Sequence, residues 1–195
     1  MRPQGLYDPR FEHDACGVGF VANVHGARSH AMVDRAVEVL KNLLHRGATG
    51  ADDGSGDGAG LLLQVPDEFL RRECERRRIA LPPPGAYGVG MVFLPAAEGP
   101  RRRCQELVEE TAADEELEFL GWREVPTEAA ALGALARRSV PAVAQCFVGG
   151  RGRRGAELER KLYVLRKQAE KRVALLSGDA GFYVASLSSR TIVYK

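Results

Sequence analysis

His13–Phe20 reads HDACGVGF, a cysteine set between a short polar leader and a glycine-rich apolar run. Gly17 and Gly19 keep the chain slim around Cys16, while Val18, Phe20, Ala22 and Val24 alternate as one face of a buried strand. A cysteine in such a strand packs by default as a small hydrophobe. Its position allows a second reading. Cleavage of the Ala15–Cys16 bond would give one residue both a thiol nucleophile and an α-amine, whose pKa of about 7.7–8.0 suits a general base near neutral pH. On these residues alone, packing and catalysis both stand open.

Upstream, residues 1–15 (MRPQGLYDPRFEHDA) contain no apolar core of the secretory kind, and the chain has no run long enough to cross a membrane. The leader is either a processed segment or a surface arm. With 195 residues, 45% hydrophobic and 28% charged, and a formal net charge of +2, the composition is that of one domain with a sizeable core. The basic clusters Arg71–Arg78 and Arg101–Arg103 alternate with Glu73, Glu75 and Glu106, which makes them solvated helix faces and argues against a nucleic-acid partner. Cys16, Cys74, Cys104 and Cys146 form no CxxC pair, and His25, His30 and His45 lack ligand spacing. Neither a metal site nor a disulfide framework is expected, and a reducing cytoplasm fits best.

Downstream, helices and strands mix. Ser29 can cap a helix with the stripe Val33, Ala36, Val37, Leu40, Leu43 and Leu44, ending near Gly47 and expected to pack on a sheet. Strands are expected at 61–65, 87–94, 119–125, 140–148, 181–187 and 191–194, with helices at 67–77, 101–117 and 156–176. In the last helix Leu158, Leu162, Leu165, Ala169 and Val173 share a face. Residues 129–138 are ambiguous, because alanines favour helix while Gly133 and nearby prolines shorten it. Layered sheets covered by helices follow, with no second domain in view.

Residues 50–60, GADDGSGDGAG, invite two familiar assignments that fail on context. A phosphate cradle should follow a strand and open a helix, whereas this loop does the reverse. A calcium loop starting at Asp53 would need a bidentate carboxylate at its twelfth position, which is Gln64. What remains is either a glycine-rich turn capped by its aspartates or a wall of the Cys16 pocket. In the second case Gly47 and Gly60 would allow close backbone approach. Arg46 would then be a charged wall residue, or otherwise a helix C-terminal arginine favoured by the dipole.

Taken in order, HDACGVGF, LKNLLHRGATGAD, GDGAG, GWREVP, PAVAQCFV, RKLYVLRK and SLSSRTIVY resemble the glutamine amidotransferase domain of glutamate synthase large subunits. The resemblance implies a class II amidotransferase with the α+β fold of N-terminal nucleophile hydrolases, a four-layer αββα sandwich. It implies that residues 1–15 are a propeptide-like leader and that 16–195 are the N-terminal portion of the type 2 domain. Cys16 would be both nucleophile and, through its freed α-amine, base; Arg46 and Gly47 would belong to the substrate pocket. Attack on the glutamine carboxamide would release ammonia and leave a glutamyl thioester for water to hydrolyse.

The same family uses an asparagine followed by glycine to stabilise the oxyanion. Here Asn23 precedes Val24 and Asn42 precedes Leu43, so the pair is absent and the fold is expected to be incomplete at its C-terminus. The isolated chain is therefore expected to be inactive. The resemblance implies transfer of the ammonia to 2-oxoglutarate, with FMN and an iron–sulfur cluster on the rest of the synthase and no cofactor on this chain. Implied partners are glutamine, the remainder of the large subunit and either a small subunit or ferredoxin, with neither nucleic acid nor membrane. A non-catalytic or split-subunit scaffold that docks to other synthase chains stays open as the alternative.

Overall fold

Tyr87–Leu94, expected as a strand from its apolar run, is the strand whose two faces meet separate cores. In the computed structural model, which describes residues 17–47, 56, 58–177 and 181–195, it is β2. These residues fall into two compact units divided between Ala59 and Gly60.

In the second unit, β1 (Leu61–Gln64) leads through Pro66 into α2 (Asp67–Glu75) and then β2. After β2 come α3 (Glu98–Asp114), β3 (Glu118–Glu124), the single-turn α4 (Ala134–Arg137), β4 (Ala142–Gly149), α5 (Gly155–Ser177), β5 (Tyr183–Ser188) and β6 (Thr191–Tyr194). A four-stranded antiparallel sheet has the order β3-β4-β2-β5, and β1 pairs antiparallel with β6 in a second, two-stranded sheet. The α+β class and the two antiparallel sheets match the expectation. The ambiguous 129–138 stretch resolves into two short turns, a 3-10 turn at Ala129–Ala131 and α4, because Gly133 breaks the alanine run between them.

The strand period of two splits β2 between two cores. Tyr87, Val89 and Met91 join Phe147, Ile192 and, from α2, Leu70 and Cys74 on one face. Val92 and Leu94 turn the other way, toward Cys104 and Leu107 of α3 and Val173 of α5. Leu158, Leu162 and Leu165 of α5 complete that side against Val148. Layers therefore run from α3 and α5, through the four-stranded sheet, to the small sheet and α2. Gly88 makes the helix contact possible, since a Cβ there would lie 2.5 Å from a Leu162 methyl. α3 begins three residues before Arg101 because Pro100, in its first turn, lacks an N–H that would be unpaired there anyway.

The first unit contains α1 (His30–Asn42) and a 3-10 turn at Leu44–Arg46. Ser29 takes the cap position in extended backbone, but its side chain caps nothing. No residue of α1 is fully buried, and its apolar stripe is half-buried at most. The expected strand after Cys16 does not form over residues 17–24, and Val18, Phe20 and Val24 are 87%, 92% and 91% exposed. Among the described residues nothing pairs with this segment, so its alternation creates no buried face. Asn23 ends it instead: its Oδ1 accepts from the backbone N–H groups of His25 and Ala27 at 2.9 and 3.2 Å, and Gly26 closes the turn at φ +69°.

Candidate active site

Cys16 lies outside the described residues, which begin at Gly17. The glycines after it do more than leave room for a thiol. A Cβ on Gly19 would stand 2.5 Å from Cγ1 of Val39, so this glycine lets the segment pack against α1. α1 in turn leads into the Leu44–Arg46 turn, where His45 Nδ1 lies 3.0 Å from the Asn42 carbonyl oxygen. That contact spends the imidazole on its own helix end.

Arg46 is placed by its backbone as the last residue of this turn. Gly47 follows with φ −80° and ψ 147° and donates its N–H to the Leu44 carbonyl at 3.1 Å. Its backbone is ordinary extended chain, so any need for glycine there comes from space and not from dihedral freedom. Most of the 50–60 loop, including Asp52, Asp53 and Asp57, lies outside the described residues. Its last glycine does permit a close backbone approach, though to the chain itself. A Cβ on Gly60 would lie 2.9 Å from the Tyr194 carbonyl oxygen, at the end of the β1–β6 ladder.

The other three cysteines are free, buried thiols. Burial pushes Cys74 up to about 11 and Cys146 up to about 12, and it raises Cys104 as well. Such thiols stay protonated near neutrality and are closed to substrate, whereas a nucleophile must be a reachable thiolate. They fill buried faces of α2, α3 and β4. Trp122 also packs, with its ring 5.4 Å from Phe119 and its Nε1 donating to Glu109 at 2.7 Å.

One constellation escaped the sequence reading. Arg123, 4% exposed in β3, donates to Glu73 Oε2 at 3.0 Å and to Gln145 Oε1 at 3.0 Å, and its guanidinium carbon lies 5.4 Å from the Phe69 ring centre. Gln145, wholly buried in β4, then donates through Nε2 to the Tyr194 hydroxyl at 3.1 Å. The hydrogen bond from Arg123 holds the Glu73 carboxyl below its usual range, with Arg76 and Arg77 adding to the effect against partial burial. This chain of side chains ties α2 and the four-stranded sheet to β6. Gln145 in the middle of the apolar run AVAQCFV was the one available signal, since a buried amide must find partners.

Beside it, the Tyr87 hydroxyl donates to Asp67 Oδ1 at 2.9 Å, and Arg71 joins Asp67 to the carbonyl oxygens of Leu81 and Pro82. Both networks are internally satisfied and serve as braces. Among the described residues no group of three or more His, Cys, Asp or Glu side chains could hold a metal ion, and no helix is long and apolar enough to cross a membrane.

Comparison with known proteins adds the missing context. The family model of class-II glutamine amidotransferases matches residues 16–195. The chain is 45% identical over 196 residues to the glutamate synthase [NADPH] large chain of Bacillus subtilis, covering 100% of this chain and 13% of that protein. It is 43% identical over 203 residues to the glutamate synthase [NADH] of Saccharomyces cerevisiae, covering 98% of this chain and 9% of the relative. It is also 43% identical over 185 residues to the ferredoxin-dependent glutamate synthase 2 of Synechocystis, with 94% and 12% covered. The chain thus spans only about a tenth of the length of these relatives.

Proposed function

The chain belongs to the class-II glutamine amidotransferase family, and we propose that it supplies the glutaminase step of a glutamate synthase from Cys16. The observation that carries this reading is the start of the matched region: its first residue is the cysteine, and the fifteen residues before it lie outside the match. Removal of residues 1–15 makes Cys16 the N-terminus. Its α-amine takes the thiol proton, the sulfur attacks the glutamine side-chain carbonyl, and the amide nitrogen takes up a proton as it leaves as ammonia. Water then cleaves the thioester to glutamate. Arg46 and Gly47, at the end of the turn after α1, stand as pocket residues in this scheme.

The ammonia goes to 2-oxoglutarate on the remainder of the synthase chain, which holds FMN and an iron–sulfur cluster and draws electrons through a small subunit or ferredoxin in the cytoplasm. The 195 residues contain no Asn-Gly pair for the oxyanion. Loss of one oxyanion donor costs about a hundredfold or more, so these residues alone hydrolyse glutamine poorly. A test combines intact mass with covalent labelling by 6-diazo-5-oxo-L-norleucine, a glutamine analogue, carried out with this chain joined to the remainder of the synthase, which supplies the missing oxyanion donor. Loss of residues 1–15 and a single adduct on Cys16 are expected. An unprocessed chain that stays unlabelled, or an adduct on another residue, would overturn the assignment.

A further inference from the structure

Two of the motifs singled out in the sequence, RKLYVLRK and SLSSRTIVY, take no part in the proposed chemistry, yet Glu159, the residue before the first, binds the second. The Glu159 carboxylate on α5 accepts from Ser188 Oγ at 2.9 Å, from the Ser189 N–H at 2.7 Å and from Ser189 Oγ at 2.6 Å. Ser188 Oγ accepts in turn from the N–H groups of Arg190 and Thr191, and the Arg190 carbonyl accepts from Val65 N–H at 2.9 Å. The β5–β6 turn is therefore clamped to α5 one helical turn before Tyr163. Arg190 projects from the clamped turn, exposed and without a side-chain partner among the described residues.

Along α5, Arg160, Tyr163, Lys167 and Lys171 recur at three- and four-residue spacing on the side opposite the buried Leu158, Leu162, Leu165 and Ala169. Tyr163 is 61% exposed at the centre of this row. The carboxylates of α5 are already engaged: Glu157 with Arg153, Glu159 with the turn, and Glu170 with both Arg166 and Lys167. Arg160 and Lys171 have no such partner among the described residues. The face thus holds surplus positive charge around an amphipathic ring.

We propose that the outer face of α5, with Arg190 at its edge, is a docking surface for an acidic protein segment that presents carboxylates at about helical spacing. Charge complementarity selects this occupant. The row spans about 16 Å, too short to engage the many phosphates on which duplex binding depends. A bilayer-seeking helix would turn its apolar face outward, whereas here that face is spent on the core. The relatives contain much more polypeptide than this domain, so there is ample chain to supply such a segment.

The test is a titration of the isotope-labelled 195-residue chain with a short poly-L-glutamate peptide at low ionic strength, followed by amide chemical shifts. Shifts confined to residues 160–171 and 188–191 are expected. The triple charge reversal Arg160→Glu, Lys167→Glu, Lys171→Glu should weaken binding about tenfold or more while leaving the other resonances in place. Tyr163→Ala should weaken it by a smaller factor. Unchanged affinity in the triple variant, no shifts at all, shifts centred on Arg76–Arg78, or tighter binding of duplex DNA or phosphatidylserine vesicles than of the peptide would each overturn the proposal.

Discussion

Residues 17–47 and residues 60–195 use apolar side chains in opposite ways. The first segment leads from the proposed nucleophile, yet no residue of α1 is fully buried and Phe20 is 92% exposed. The second has the buried core, from Leu70 through Phe147 to Ile192, and its three thiols are buried in it. A helix draws most of its stability from packing, so α1 has less to hold it than the helices of the second stretch. The buried core lies in the second stretch, apart from the cysteine proposed as nucleophile.

The sharpest break of that contrast is Cys16→Ala, which should abolish labelling by the glutamine analogue altogether. Cys74→Ala should leave the adduct in place, as mass spectrometry of the labelled chain would show. Next in size is a paired truncation. Phe147→Ala, in the sheet, should cost about 3–5 kcal/mol, whereas Leu40→Ala, on the half-buried stripe of α1, should cost about 1 kcal/mol. Urea denaturation measures both, and equal losses would erase the distinction between the two regions.

A smaller effect probes how tightly the sheet is closed. A Cβ on Gly90 would lie 2.5 Å from Cys146 Sγ, so Gly90→Ala should destabilise by about 1–3 kcal/mol. Adding Cys146→Ala should recover part of that loss, giving a coupling of about 0.5–3 kcal/mol in a double-mutant cycle. For Glu73 the sign follows from its lowered folded pKa. Its contribution is present above the ordinary carboxylate range and is lost as pH falls through the folded value, so Glu73→Gln should flatten the acid limb of a stability–pH curve. The smallest change is expected at Ser29→Ala, below about 0.5 kcal/mol by thermal melting, because the missing side-chain cap bond leaves little to lose.

Much of this molecule could be read from local pattern. Tyr87–Leu94 and Thr191–Tyr194 form strands with the expected ends, and the 156–176 stripe buries the five residues named for it. The strand expected after Cys16 failed because alternation specifies a face only when another strand pairs with it. Arg123 and Glu73 were equally illegible. Each sits in a charged stretch that resembles a solvated helix or strand face, and they meet across fifty positions of chain.

By itself the sequence determined the element types of residues 60–195 outside the 129–138 stretch, the cysteine at the head of the matched region and the family, because periodicity and ordered motifs are properties of short windows. Only the tertiary structure decided the strand order β3-β4-β2-β5, the burial of Arg123 and Gln145, and the clamp of Glu159 on Ser188 and Ser189. Those outcomes depend on which distant groups meet. A polar side chain can be buried when its partners arrive with it, and no local window records their arrival.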